Sequence, residues 1–262
     1  MRKKFRRSAS RAAKFSPKFS GWAIILSLVI IACHRFGVMN SATFIKIMLA
    51  MAALALIGVA LAIKGFHDLW QRGDKGGRSS IKGMIYALIT LVPLGFIGGM
   101  GLMLPYLHDI SSDLEDPPVY PVTIRPAAAL STIDMMKNAD LQREAWPDLR
   151  GRIYEVSPDG IIIAIEAVLA AQGWQKQLQI NGEGTDNSDI FVTAIADMAV
   201  LGFVSDVLIR IRDREEATFV DMRVTIRDLT HDFGFGAYSI NSFMHNLDQE
   251  VLLSAIENRQ EN

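Results

Sequence analysis

Cysteine is nearly absent from this chain: Cys33 is the single thiol in 262 residues. One thiol can build neither an internal disulfide nor a thiolate zinc cluster. Acidic residues are equally scarce in the first 106 positions, which hold 2 Asp or Glu against 15 Lys or Arg, whereas positions 107–262 hold 26 against 12. A formal +13 therefore faces −14 in a chain whose overall charge is −1. So acidic a second half argues against nucleic acid as its partner, because phosphate contacts need accumulated Lys and Arg. Also missing are a Gly-x-Ser-x-Gly elbow, an HExxH motif and a Gly-rich phosphate loop with its lysine. No cofactor is expected.

What the first half does contain is three apolar runs. The first, "FSGWAIILSLVIIACHRFGV" (19–38), follows Arg2, Lys3, Lys4, Arg6, Arg7, Arg11, Lys14 and Lys18 with no acidic residue between them, a positive-inside pattern. Its purely apolar part (21–33) is short enough to suit a signal peptide, or lipidation of Cys33 in "IIAC", as well as an anchor. Two further runs follow directly, which favours an uncleaved anchor whose helix continues through 36–39. The second run (44–66) has Lys46 and Lys64 near its ends, where their ammonium groups reach the headgroups.

The third run (84–106) contains Pro93 and the glycines Gly95, Gly98, Gly99 and Gly101. It predicts a kinked helix with a close-packing face, turned to the other spans or to a partner protein. No acidic residue lies within a run, so no proton or cation pathway is expected. The loop before the third run carries Arg72, Lys75, Arg78 and Lys82, and its "GRSSIKG" suits anionic headgroups. The pattern predicts a multi-pass protein of the bacterial inner (cytoplasmic) membrane, among membrane lipids, with its N-terminus inside and "HDISSDLEDPP" emerging on the periplasmic side. Pro117 and Pro118 then stop any helical continuation.

Three domains are expected: a basic arm with three spans (1–106), an acidic, Pro-containing linker with an irregular lead that wraps the domain (107–151), and a periplasmic domain (152–262). The last opens with a strand at 152–156. "SPDGIIIAIEAVLAAQG" reads as a buried helix with Ser157 at the cap, Pro158 and Asp159 in the first turn and Gly173 at the stop. Trp174, Lys176, Leu178 and Ile180 alternate with Gln175, Gln177 and Gln179, as in a strand with one polar face. Strands follow at 190–196, around Val207, Ile209 and Ile211, and at 219–227, before a helix over 238–257.

This order predicts an α+β domain, strand-helix-four strands-helix around an antiparallel sheet, resembling the arrangement of TATA-box-binding-protein-like and helix-grip folds. Both helices would cover one face. The other face is expected to be free and to collect Gln175, Gln177, Gln179, Arg210, Arg212, Asp221, Arg223, Thr225 and Arg227. It reads either as a solvated face with cross-strand Arg and Asp pairs, or as a surface for a lipid headgroup, a glycan or an acidic protein segment.

Candidates for chemistry are sparse. His231 and Asp232 are adjacent, and the carboxylate would orient the imidazole as a general base; the competing reading makes Asp232 a turn or helix cap. No nucleophile accompanies them. His108, His231 and His245 stand singly, and Glu183, Asp186 and Asp189 in "NGEGTDNSD" lack the EF-hand ligand order, so no metal is expected.

Together, "DPP", "YEVSP", "LGFVSDVLIRI" and "VDMRVTIRDLTHDFG" resemble a bacterial and plastid family of unknown function, DUF1499, over about 108–255. The family pattern is matched at Phe203, Asp206, Val207, Asp221, Arg223, Arg227, Asp232 and Gly234. The chain departs from it at Leu229, Gly236 and Ser239. The resemblance implies a domain boundary and an envelope location but no mechanism. The leading expectation is a non-enzymatic, inner-membrane-anchored envelope module that binds a protein partner or an anionic ligand. The alternative is a membrane-bound hydrolase of an envelope lipid or glycan using Asp206, His231 and Asp232.

Overall fold

Residues 8–181, 189–198, 200–214 and 217–260 are described by a computed structural model. They divide into two units: residues up to Met100 with Val200–Gly202, and Gly101–Ala199 with Phe203–Asn262. In the first unit, the Ser10 hydroxyl accepts from Ala13 N–H and opens α1 (Arg11–Arg35). The helix starts well before the apolar run and stops at Arg35. Gly37 turns the chain with φ +71°, so 36–39 do not prolong the helix as expected. Asn40 caps α2 (Ser41–Arg72) by accepting from Thr43 N–H at 2.8 Å, and α3 (Gly77–Met103) carries Pro93 inside it. All three are long and apolar enough to cross a membrane.

The buried residues of α1 include Ala13, Ser16, Ser20, Ala23, Ser27, Ile30 and His34, spaced alternately by three and four. That 3.5-residue period is the seam of a left-handed helix pair. Small residues line it, so the backbones approach closely. The Ser16 hydroxyl donates to the Gly58 carbonyl at 2.9 Å. A Cβ at Gly65 would lie 2.9 Å from Ala13 Cα, and one at Gly83 would lie 2.9 Å from the Ser16 carbonyl carbon. The packing glycines are thus Gly58, Gly65 and Gly83. The expected glycines do not pack against the other spans: Cβ atoms at Gly95, Gly98 and Gly99 would meet nothing within 4 Å in the chain, and Gly101 faces the Phe233 ring. The acidic pair of this half is held locally. Ser10 Oγ donates to Asp68 at 2.7 Å, Ser8 bonds Asp74, and Lys75 exchanges backbone hydrogen bonds with Ser8 and Ser10.

The second unit contains β1 (Asp109–Ser111), α4 (Thr132–Ala145), β2 (Arg152–Tyr154), α5 (Pro158–Ala171), β3 (Gln175–Asn181), β4 (Ile190–Asp197), β5 (Val204–Arg214), β6 (Ala217–Ile226) and α6 (Phe235–Gln260). From β2 onward the order is the expected strand-helix-four strands-helix. The sheet is open and antiparallel, ordered β1-β6-β5-β4-β3, and β2 also pairs with β6. One edge strand is therefore split in two, β1 lying opposite 223–225 and β2 opposite 218–220. Everything between them, 112–151, is an excursion from that edge.

Val207, Ile209, Ile211, Val220, Met222 and Val224 pack against Ile161, Ile165 and Val168 of α5 and Ile240, Phe243 and Leu247 of α6, all nearly inaccessible to solvent. Burial of these side chains is the main source of stability. Ser157 caps α5 by accepting from Gly160 N–H, and Gly173 ends the segment at φ +70°. Arg152 and Tyr154 of β2 both donate to Asp248 of α6, at 3.2 and 2.8 Å.

Two expectations are revised here. The lead (107–151) is not an irregular linker, because it supplies β1 and α4 to the domain. In β3 the alternation breaks at Gln177, where the register shifts, so that Leu178 lies opposite Thr193, Ile180 opposite Phe191 and Gln179 opposite Val192. The extra residue moves Leu178 and Ile180 to the face away from the helices and Gln179 to the helix face.

Candidate functional site

Over β6 and β5 the sheet face away from α5 and α6 is covered, not free, whereas Leu178 of β3 on the same face is 43% exposed. Pairing with β6 aims Asp109 and Ser111 of β1 at this face and Ile110 at the core. The chain then runs back across β6 and β5. Asp113 Oδ1 accepts from Glu115 and Asp116 N–H at 3.1 and 3.0 Å, forming a tight turn before Pro117 and Pro118. Tyr120 lands on Leu208 with Ala129 and Phe191 around it, and its hydroxyl donates to the Asp206 carbonyl at 3.0 Å. Ser131 then caps α4, whose Gln142 bonds both backbone groups of Ser111 and so closes the sheet edge beside β1.

Arg223 is the anchor of this strap. Its guanidinium grips Asp109 through Nε to Oδ1 at 2.9 Å and Nη2 to Oδ2 at 2.6 Å, and donates to the carbonyls of Pro118 and Leu130. The Asp109 carboxylate also accepts from Leu130 N–H and the Thr225 hydroxyl. The side chains of the pair are only 2% and 0% exposed, and Arg223 lies 5.0 Å over the Tyr120 ring. Burial, then the Asp109 charge, push the Tyr120 phenol well above its usual range.

A second network lies beside it. Arg210 and Arg212 both donate to Asp113, Asp116 and Asp221, the last being the cross-strand neighbour of Arg210. Asp221 Oδ2 takes both guanidiniums, at 3.2 and 2.6 Å, while Oδ1 accepts no hydrogen bond among the described residues. Burial raises the Asp221 pKa, against the pull of Arg212 and Arg210. Asp221 lines a cleft of about 390 Å³ walled by the start of the strap, the 143–153 segment and Phe219. Gly151 leaves the space there, since a Cβ on it would collide with Asp221 Oδ1. Trp146, packed partly against the core, forms one wall. A smaller cleft of about 270 Å³ lies between Tyr120, Arg125, Ile133 and Arg223.

The family model described as a protein of unknown function (DUF1499) matches residues 109–247, more than half of the chain. The chain belongs to that family. The DUF1499 match begins at Asp109, the residue clamped by Arg223, so strap and sheet fall inside one domain. No curated protein and no solved structure matches.

The residues singled out from sequence divide into two groups in this DUF1499 domain. Arg210, Arg212, Asp221, Arg223 and Thr225 do converge, but under the strap and bonded to its acidic groups, which corrects the expected open face. Arg227 lies beyond the strap in a two-pronged pair with Asp206, which raises its pKa further. The proposed dyad is not assembled. His231 Nδ1 accepts from Phe233 N–H at 2.8 Å, while both Asp232 oxygens accept from Gly234 and Gly236 N–H. Asp232 is thus the turn and cap at the start of α6, and burial raises its pKa despite these bonds. The turn is strained: Phe233 has φ +53°, held by stacking on His231 at 4.6 Å.

At Gly236, where the chain departs from the family pattern, a Cβ would lie 2.9 Å from the Ile110 side chain. His108 bonds the Ala128 carbonyl and His245 bonds Gln249. Among the described residues no three His, Cys, Asp or Glu are grouped to hold a metal ion. Glu183 and Asp186 lie outside the described residues. Sequence reasoning missed Asp109, Asp113, Asp116, Tyr120, Gln142 and Trp146. The available signal was that the acidic run 109–116 and the strand arginines are of opposite sign.

Proposed function

We propose that this DUF1499 protein is a membrane-anchored envelope module that binds a partner through its extramembrane domain and performs no chemistry on it. The N-terminus lies on the cytoplasmic side of the membrane and the domain lies on the outer side, an orientation supported by the basic arm, the basic loop between α2 and α3, and the odd number of spans. The observation that carries the binding reading is the cleft beside the strap, which Trp146, Phe219 and Asp221 line together. The partner meets this cleft and not the arginine face, because the chain's own carboxylates already bind Nη1 and Nη2 of Arg210 and Arg212 and clamp Arg223, and the strap covers all three.

Native mass spectrometry after gentle extraction from the source membrane tests this reading. A protein, lipid or glycan should remain bound to the full chain and be lost from Trp146→Ala. Retention of the same species by that variant, or a bare chain in both samples, overturns it.

A further inference from the structure

We infer that the free edge of β3 pairs with the same strand of a second copy of this chain, joining two sheets across a two-fold axis. β3 ends the sheet order on the side opposite β1 and β2, and among the described residues no strand pairs with its outer edge. The β1 side is closed by Gln142 of α4, whereas Gln175, Lys176, Gln177 and Leu178 are all exposed. An edge of seven residues without proline is a template for another strand unless a charge guards it. Its single charge, Lys176, does not guard it. The ammonium is bonded to Glu166 of α5 and to Gln179, the latter at 3.1 Å, which holds it over the helix face.

Charge selects the occupant. Positions 107–262 carry a formal −14, so two copies repel one another over most of their surface. Residues 174–181 and 190–196, by contrast, hold no acidic side chain and only one basic one, Lys176. A second copy can approach along this strip, whereas a basic partner is drawn to the acidic surface elsewhere. The bulge at Gln177 then sets the register. Lys176 lies opposite the core residue Ala194 and Gln179 opposite Val192, so both are on the helix face, while Leu178 and Ile180 are on the other. An axis through Leu178 would set Lys176 against Ile180, on opposite faces. An axis through Gln179 keeps the faces matched and sets Leu178 opposite Ile180 of the second copy, twice. Those two apolar pairs cover Leu178, which is 43% exposed in the single chain, and the two lysines stand at opposite ends of the pairing.

The test is disulfide cross-linking of the full chain in membrane vesicles, with Cys33→Ser removing the single native thiol. Oxidised with copper phenanthroline, Gln179→Cys on the axis should give a covalent dimer, because directly opposed residues lie within disulfide reach. Gln175→Cys sits four residues from the axis, so its mate lies roughly 26 Å away along the strands and should not cross-link. Co-expressed Leu178→Cys and Ile180→Cys chains should cross-link to each other more than either does alone. Adding Leu178→Lys to Gln179→Cys should cut the dimer about tenfold, since it sets a lysine in each apolar pair. The melting temperature should stay within about 2 °C, because the Leu178 side chain is exposed. No dimer from Gln179→Cys, equal cross-linking at 175 and 179, or a dimer indifferent to Leu178→Lys overturns the inference. So does a Gln179→Cys adduct whose mass shows a different protein in place of the second copy.

Discussion

Asp109→Asn is the substitution on which the strap most clearly depends. The native carboxylate accepts four hydrogen bonds: two from Arg223, one from Leu130 N–H and one from the Thr225 hydroxyl. An amide of the same shape removes the charge and turns a donor toward a guanidinium that is 2% exposed. Breaking a buried pair in this way costs about 3–5 kcal/mol, because the remaining cation stays desolvated and unpaired. For a domain of roughly 155 residues, each kcal/mol corresponds to about 2–4 °C, so the melting temperature should fall by on the order of 6–20 °C. The full chain in neutral detergent, followed by near-ultraviolet circular dichroism, gives the measurement. Asp116→Asn is the matched control: its side chain is 67% exposed, and the change should cost less than about 1 kcal/mol. Limited proteolysis should also open 112–131 in Asp109→Asn before it opens the β4–β5 region. An Asp109→Asn protein that melts within about 2 °C of the native chain would refute the clamp as argued.

Two further outcomes follow from the same geometry. Gly83→Ala places a Cβ against the backbone of Ser16 and should cost about 1–3 kcal/mol of helix packing in detergent, whereas Gly98→Ala meets open space and should stay within about 0.5 kcal/mol. Equal melting of the two variants would contradict the assignment of the packing face. Asp232 should titrate above the ordinary carboxylate value, because burial outweighs the Gly234 and Gly236 N–H groups. With the folded pKa above the unfolded one, the folded state binds the proton first. The cost of the buried anion is therefore fully present above the folded pKa, eases as the pH falls through it, and is gone below the unfolded value near 3.8. The carboxyl-carbon shift of Asp232 followed by NMR checks this, and a midpoint at or below 3.8 contradicts it.

From β2 to α6 the fold was legible because each element carries its own periodicity. Val220, Met222 and Val224 alternate cleanly with Asp221, Arg223 and Thr225, and Ser157, Pro158 and Asp159 mark a helix start. The split edge was not. β1 is three residues long, too short for an alternation to register. α4 buries only Met135, Ala139 and Gln142, so its inner stripe is part polar and its apolar signal weak. The bulge in β3 was hidden for another reason. Lys176, Leu178 and Ile180 alternate with glutamines in the sequence whether or not a residue is looped out, and only the pairing with β4 reveals the shift.

The candidate site failed to be legible for one physical reason. A strand face of Arg, Asp and Thr has the composition of a surface in water, and the same side chains also satisfy a buried face when matching carboxylates arrive from elsewhere. Here they arrive from far along the chain, Asp109 reaching Arg223 and Asp113 reaching Arg210. Arginine suits this use because its planar fork bonds a carboxylate at two points and leaves donors for carbonyls such as those of Pro118 and Leu130. The acidic stretch that looked like a solvated tether is therefore the counter-charge of the sheet. Arg223 is balanced by Asp109, whereas Arg210 and Arg212 are outnumbered by the carboxylates around them.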